Sequence, residues 1–263
     1  MATSNIDQQD TMATVNDSII EEEETEESSM TLVEHLEELR WRIIKSLVAI
    51  TVAAIVAFIF RIQIMKFLTL PLPKTADSLT KGQLVVTGVG EGFTIYLKLA
   101  FAVGIVIALP VILYQTWAFI SPGLYEREKK NAVPFIVAGL VLFVAGIALG
   151  FIVLQYPVQW LINFASDSFV PLVTADNYFT FVAFFLLAFG IAFEIPLVLT
   201  FLAQLGLISS DILRRKRPVA YIIMWIAATF LTPGADPYSP IILGTAMTVL
   251  FELSIILIRI TKK

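Results

Sequence analysis

The sequence contains no cysteine and only one histidine, His35, among its 263 residues. The first absence excludes disulfides, thiol catalysis and cysteine metal sites, without fixing a redox compartment. The second excludes a histidine-rich metal centre. Charge is scarce as well: 15% of residues are Asp, Glu, Lys or Arg, against 57% hydrophobic, and the mean hydropathy is +0.83. Such a balance is too apolar for a soluble domain of this length and points to a chain that crosses a membrane several times. No nucleophile stands beside a base, no metal-ligand spacing occurs and no nucleotide motif appears, so neither an enzyme nor a cofactor is expected. Gly88-x-Gly90-x-Gly92 imitates a phosphate loop. It lacks a surrounding βαβ pattern and a following Gly-Lys-Ser/Thr, and reads as a turn.

The charge that exists is unevenly placed, so the formal net value of -4 says little about partners. Nine acidic residues fall within residues 1–27, ending in the run Glu21 to Glu27. Residues 1–30 have neither the basic start nor the apolar centre of a signal peptide. They read as a disordered acidic tail, with an acidic docking arm as the sharper alternative. From Thr31 to Arg42, Leu32, Leu36, Leu39 and Ile43 recur at helical spacing behind the possible capping box Thr31-x-x-Glu34, which describes an amphipathic helix feeding a first span. Glu34, Glu37 and Glu38 lie on its polar side, where Glu38 can meet Arg42 one turn on.

Six apolar segments follow: 43–60, 93–113, 132–154, 178–202, 218–231 and 241–258. At about 1.5 Å per residue the first four can cross about 30 Å of hydrocarbon, and the last two are expected to be short, which implies a locally thinned membrane. The fold class expected is therefore an all-α integral membrane protein with six transmembrane helices. Arg127, Lys129 and Lys130, then Arg214 to Arg217, then Arg259, Lys262 and Lys263 all fall on one side, joined by Arg40, Arg42 and Lys45. The positive-inside rule makes that side, and both termini, cytoplasmic. Arg61, Lys66, Lys74 and Lys81 in the first outer loop are the one dissent. With no internal repeat visible, residues 31–263 form one membrane domain after the tail.

Several polar residues stand out against this background. Glu194, in Phe-Glu-Ile-Pro196, lies well inside the fourth segment, where a charge costs roughly 2.5 to 3.5 kcal/mol and needs a partner, water or a proton. Pro196 removes a backbone donor and can kink the helix. Glu252 lies nearer the cytoplasmic end of the last segment, and structural and functional readings weigh equally. Lys98 is expected to snorkel to the outer interface. Asp236, between Ala235 and Pro237, is a helix cap by its spacing. The Arg214 to Arg217 run is better explained by topology than by nucleic acid. Phe119 to Lys130 packs Glu126, Arg127, Glu128, Lys129 and Lys130 after the turn residues Ser121-Pro-Gly123, as a short loop at a membrane surface.

Taken in order, His35-Leu-Glu-Glu-Leu-Arg40, Leu109 to Glu128 (LPVILYQTWAFISPGLYERE), Phe193-Glu-Ile-Pro196, and Thr232-Pro233 with Asp236-Pro237 resemble the TatC family, the C subunit of the twin-arginine protein translocase. The resemblance covers nearly all six segments; the acidic tail and the Phe-rich wording loosely resemble cyanobacterial or plastid members. It implies the core of a translocon that moves folded proteins bearing twin-arginine signal peptides, driven by the proton motive force, in a bacterial inner or thylakoid membrane. It also implies signal binding by Glu38 and Glu128, with Arg40, Phe119, Pro122 and Leu124 shaping the site. A carboxylate suits that role because guanidinium groups form charge-assisted, planar contacts that lysine does not reproduce. Glu194 carries over as the contact for the helix of a TatA- or TatB-type single-span subunit, within an oligomeric complex in lipid. The connection Thr-Pro-Gly-Ala-Asp-Pro carries an insertion relative to the commoner Pro-Pro-Asp form. Two rival readings are a proton-coupled transporter of a small solute, titrating Glu194 and Glu252 around a broken helix, and a non-transporting assembly scaffold.

Overall fold

A computed structural model of the chain describes residues 32–72, 84–121, 132–166 and 172–261. In chain order its helices are α1 Leu32–Ile59, α2 Arg61–Leu68, α3 Glu91–Ile120, α4 Ala132–Val153, α5 Gln155–Ser166, α6 Ala175–Phe193, α7 Ile195–Gln204, α8 Ser210–Arg215, α9 Arg217–Leu231 and α10 Tyr238–Thr261. Among the described residues there is no strand, only an isolated parallel bridge between Val85 and Thr174. Thr31 of the expected capping box, the acidic tail and the loop over residues 122–131 lie outside the described residues.

Five stretches are long and apolar enough to cross a membrane: α1, α3, α4 continued into α5, α6 continued into α7, and α10. The sixth, α9, has 15 residues and reaches about 22 Å. The chain is thus an all-helical protein with five to six apolar candidate spans. The expectation that the last span is short is corrected: α10 has 24 residues, about 36 Å. Counting apolar residues from Ile241 omitted a first turn of Tyr238, Ser239 and Pro240, where proline costs little because early helix N–H groups have no intrahelical acceptor.

The chain divides into two units, Met1–Ile44 and Lys45–Lys263, and α1 runs through the division. The second unit is built around α6, which packs on α4 and α3, and also meets α9 and α10. Val182, Phe185 and Phe189 of α6 are fully enclosed, and Phe181, Phe185 and Phe189 follow one another at 5.6 and 4.8 Å between ring centroids. Within lipid the tails are as apolar as leucine, so such helices associate by close packing and polar contacts rather than by leaving water. Glycine permits that approach: a Cβ on Gly146 of α4 would lie 2.5 Å from the carbonyl oxygen of Phe189, and one on Gly104 of α3 2.8 Å from the Ala54 nitrogen of α1. Outward, α1 presents Val48, Val52, Ile55 and Ile59, as a lipid-facing helix should.

Three short helices, α2, α5 and α8, have no counterpart in the sequence expectations. In α2, Arg61 lies over the rings of Phe58 and Tyr96, at 5.1 and 5.6 Å. The Tyr178 hydroxyl donates to the Leu68 carbonyl at 2.8 Å, tying the end of α2 to α6. After α4, the fully enclosed Leu154 marks a turn into α5, where Trp160 stacks on Phe164 at 4.8 Å.

Candidate functional site

Glu38 lies on the first, amphipathic part of α1 and meets Arg42 one turn on, as its spacing predicts. Its Oε1 accepts from Arg42 Nε at 2.9 Å and from Nη2. The other oxygen, Oε2, accepts no hydrogen bond among the described residues, and His35 Nδ1 stands 3.7 Å away. Arg40 is exposed on the same helix. This carboxylate therefore holds one guanidinium through Oε1, while Oε2 is buried and unmatched.

Phe119 is half-buried in the last turn of α3. Its neighbour Trp117 forms an aromatic trio with Phe135 of α4 and Phe201 of α7, with centroids 4.8, 5.5 and 5.4 Å apart. That trio fixes the helix ends flanking the loop over residues 122–131; Pro122, Leu124 and Glu128 belong to the loop and lie outside the described residues. Sequence reasoning missed the trio, because Trp117, Phe135 and Phe201 lie far apart in the chain and no local periodicity connects them.

Glu194 occupies the single residue between α6 and α7, with φ -74° and ψ -12°. Its N–H reaches back three residues to Ile191 O at 3.1 Å, a tightened final turn, and Pro196 is the second residue of α7, in the first turn where its missing N–H costs least. The kink expected from Pro196 is thus a break. Glu194 Oε1 is buried without a hydrogen-bond partner among the described residues. Its other oxygen, with Leu113 and Leu197, crowds the bare backbone of Gly139, where a Cβ would lie 3.3 Å from Oε2.

The other polar residues are committed to structure. Asp236, 4% exposed, accepts at Oδ1 from the Ser239 N–H and at Oδ2 from its hydroxyl, both at 2.7 Å, so it caps α10. Glu252 of α10 accepts from Arg217 Nη2 and from the Tyr221 hydroxyl of α9. Lys98 donates to both carboxylate oxygens of Asp176 at 2.7 and 3.0 Å, with Thr180 Oγ1 at 3.4 Å. This links α3 to α6, where the sequence suggested only a snorkelling side chain. Around it lies a cleft of about 520 Å³ with walls from Val158, Ile162, Leu172 and Phe181. In the glycine-rich turn, Glu91 Oε2 accepts from the Gly88 N–H at 2.8 Å and from the Thr87 hydroxyl at 2.8 Å. Glu91 takes the donors a phosphate would need.

A polytopic helical bundle with a half-buried carboxyl group at a break in a span has the frame of a membrane transport component. The model of the family described as Sec-independent protein translocase protein (TatC) matches residues 34–245. Proteins named Sec-independent protein translocase protein TatC from Desulforapulum autotrophicum and Carboxydothermus hydrogenoformans are each 37% identical to the chain. They match over 240 and 238 residues, covering 90% of this chain and 87% and 96% of theirs. A crystal structure described as that of the twin arginine translocase receptor TatC superposes with a TM-score of 0.75 at 32% identity, covering 88% of this chain and all of that one. The chain belongs to the TatC family and serves protein translocation across a membrane by the Tat pathway. That membership replaces both the small-solute transporter and the scaffold readings.

Proposed function

We propose that this chain is the signal-peptide receptor of its translocase. In this reading it spans the bacterial inner membrane six times, α9 being the fifth span, with both termini cytoplasmic. Residues 1–30 form an acidic tail apart from one membrane domain. The observation that carries the receptor role is the state of Glu38: one oxygen holds the Arg42 guanidinium and the other accepts no hydrogen bond among the described residues. An incoming arginine takes the place of Arg42 at this carboxylate, whose unmatched Oε2 is buried until it does, and its planar fork suits both oxygens. Glu128 supplies the second carboxylate, with Arg40, Phe119, Pro122 and Leu124 shaping the surface. Glu194 receives the helix of a TatA- or TatB-type subunit, and the proton motive force drives transport, as membership of the TatC family implies.

The test is photocrosslinking from Glu34 or Glu37, both exposed on the same helix, in membranes presented with a signal peptide. A twin-arginine peptide labels these positions, a twin-lysine version labels them far less, and Glu38→Gln weakens the twin-arginine signal at least about tenfold, the scale of a lost hydrogen bond to a charged group. Equal labelling by the two peptides sinks the receptor assignment. Transport that survives an uncoupler sinks the proposed driving force.

A further inference from the structure

The helix α2 crosses the ends of three spans on one membrane surface. Arg61 lies over Tyr96 near the start of α3, Phe67 stacks on Phe151 near the end of α4 at 4.6 Å, and the Leu68 carbonyl accepts from Tyr178 near the start of α6. A groove of about 380 Å³ opens beside it, with Gln63, Ile64 and Phe67 of α2 at one end. Its walls include Ala102, Val103 and Val106 of α3, Ile147 of α4, and Ala183 and Leu187 of α6, all half-buried, so that part of each is left uncovered by the protein. Among the described residues that line the groove, only Gln63 is polar. Packing sets its depth. Val106, Ile147 and Leu187 lie near the middle of their spans, and there the same three side chains pack against the buried cluster of Leu109, Leu113 and Phe143. Beyond that cluster α3 and α4 close on one another, and a Cβ on Gly139 would lie 2.9 Å from Leu113 Cδ1. The groove thus runs from one surface to the middle of about 30 Å of hydrocarbon and stops.

That depth decides the occupant. A transmembrane helix is about 10 Å wide and crosses the whole hydrocarbon, so it cannot follow a groove that closes half-way. Water gains nothing from apolar walls. A lipid tail belongs to one leaflet and ends at the midplane. The surface end is marked as well. Lys66 is exposed one turn on from Gln63, and its ammonium has no acceptor among the described residues. Arg61, one turn before Ile64 on the same helix, adds a second positive charge where α2 meets Tyr96. These are two of the cations that depart from the positive-inside pattern, and a phosphate at this surface gives them a partner. We propose that the groove binds one glycerophospholipid from the leaflet that α2 borders. One acyl tail lies along Val103 and Val106 to the midplane, and the phosphate sits beside Gln63 and Lys66. The lipid fills the gap that α3 and α4 leave above their contact, and so completes a packing that the chain does not complete alone.

The probe is phosphatidylglycerol carrying a diazirine at the end of one acyl tail, added to the full-length protein in detergent, where bulk lipid is stripped away and only retained lipid is labelled. Illumination and peptide mapping are expected to place the adduct on Val106, Ile147 or Leu187, and not on Ile107 or Val144, which face outward. Lys66→Gln is expected to lower the adduct about fivefold, the scale of one basic residue at a lipid surface, and Lys66→Arg to restore it. Diacylglycerol with the same tail, which lacks the phosphate, labels these positions at least about fivefold less. Ala183→Phe and Ala102→Phe fill the groove from opposite walls and abolish the adduct. A melting curve reports whether each still folds, while the exposed Lys66 tests the head end without touching the core. Equal labelling of groove and outward positions overturns the proposal. So does equal labelling by diacylglycerol, which would leave a hydrocarbon slot with no head site, and so does an adduct indifferent to Lys66→Gln. An adduct at Val106 in the isolated chain that vanishes in the complete translocase overturns it too, and gives the groove to a partner subunit.

Discussion

A carboxylate inside a span is tolerated when donors meet it, and Glu252 meets two from a single neighbour. Arg217 and Tyr221, one turn apart on α9, both reach it, so the pair joins two helices at their basic ends. Removing one partner strands the other, whereas removing both leaves no orphan charge. Arg217→Ala and Glu252→Gln are each expected to lower the thermal stability of the purified protein, and the double variant to lie closer to wild type than the sum of the two losses. The coupling expected is at the lower end of about 0.5 to 3 kcal/mol, because the two side chains keep 38% and 32% of their exposure. Strict additivity of the two losses would show that the contact contributes nothing. At this scale the sequence carried much of what matters. The i, i+4 spacing made the Glu38 and Arg42 contact legible, and Asp236 before Pro237 announced its cap. Lys98 was not legible as half of an ion pair, because its partner Asp176 lies 78 positions away and no local periodicity connects them.

Between elements, the contact of α4 with α6 depends on the absence of side chains. Gly146 lets the backbone of α6 approach so closely that a Cβ would meet Phe189 O at 2.5 Å and Phe193 at 2.9 Å. Gly146→Leu is expected to cost about 1 to 3 kcal/mol, the usual range for overpacking, read as a lower unfolding midpoint in detergent. Gly92→Ala is the counterpart: nothing lies within 4 Å of its added Cβ, and a helical position gains up to about 1 kcal/mol from alanine. A Gly146→Leu protein as stable as wild type would mean that the two helices separate without cost. The long apolar runs were legible as spans because membrane crossing is a local property of about 20 residues. The helices α2 and α5 were not. Arg61 is placed by two aromatic rings and Leu68 by a tyrosine from another span, while Gln155 and Pro157 read as the end of a helix rather than the start of the next.

For the whole molecule, orientation follows from where its cations fall, and it is open to direct measurement. With no cysteine to remove, single cysteines at the exposed positions Val89, Ala235 and Lys216 report sidedness by themselves. In sealed, right-side-out vesicles, Val89→Cys and Ala235→Cys are expected to react with an impermeant thiol reagent, and Lys216→Cys only after permeabilisation. The reverse pattern would invert the protein. A reactive Ala235→Cys together with a protected Lys216→Cys also requires α9 to cross the membrane, which sets the count at six rather than five. Hydropathy alone leaves that count open, because 15 residues satisfy no length rule.

If α9 does cross, its length has an effect beyond this one chain. About 22 Å of helix against about 30 Å of hydrocarbon obliges the adjoining lipid to compress, at a fraction of a kcal/mol for each ångström. That elastic stress belongs to the bilayer and extends past the protein surface. Two copies whose dimpled margins overlap share one deformation instead of making two, so they attract one another through the lipid before any side chains touch.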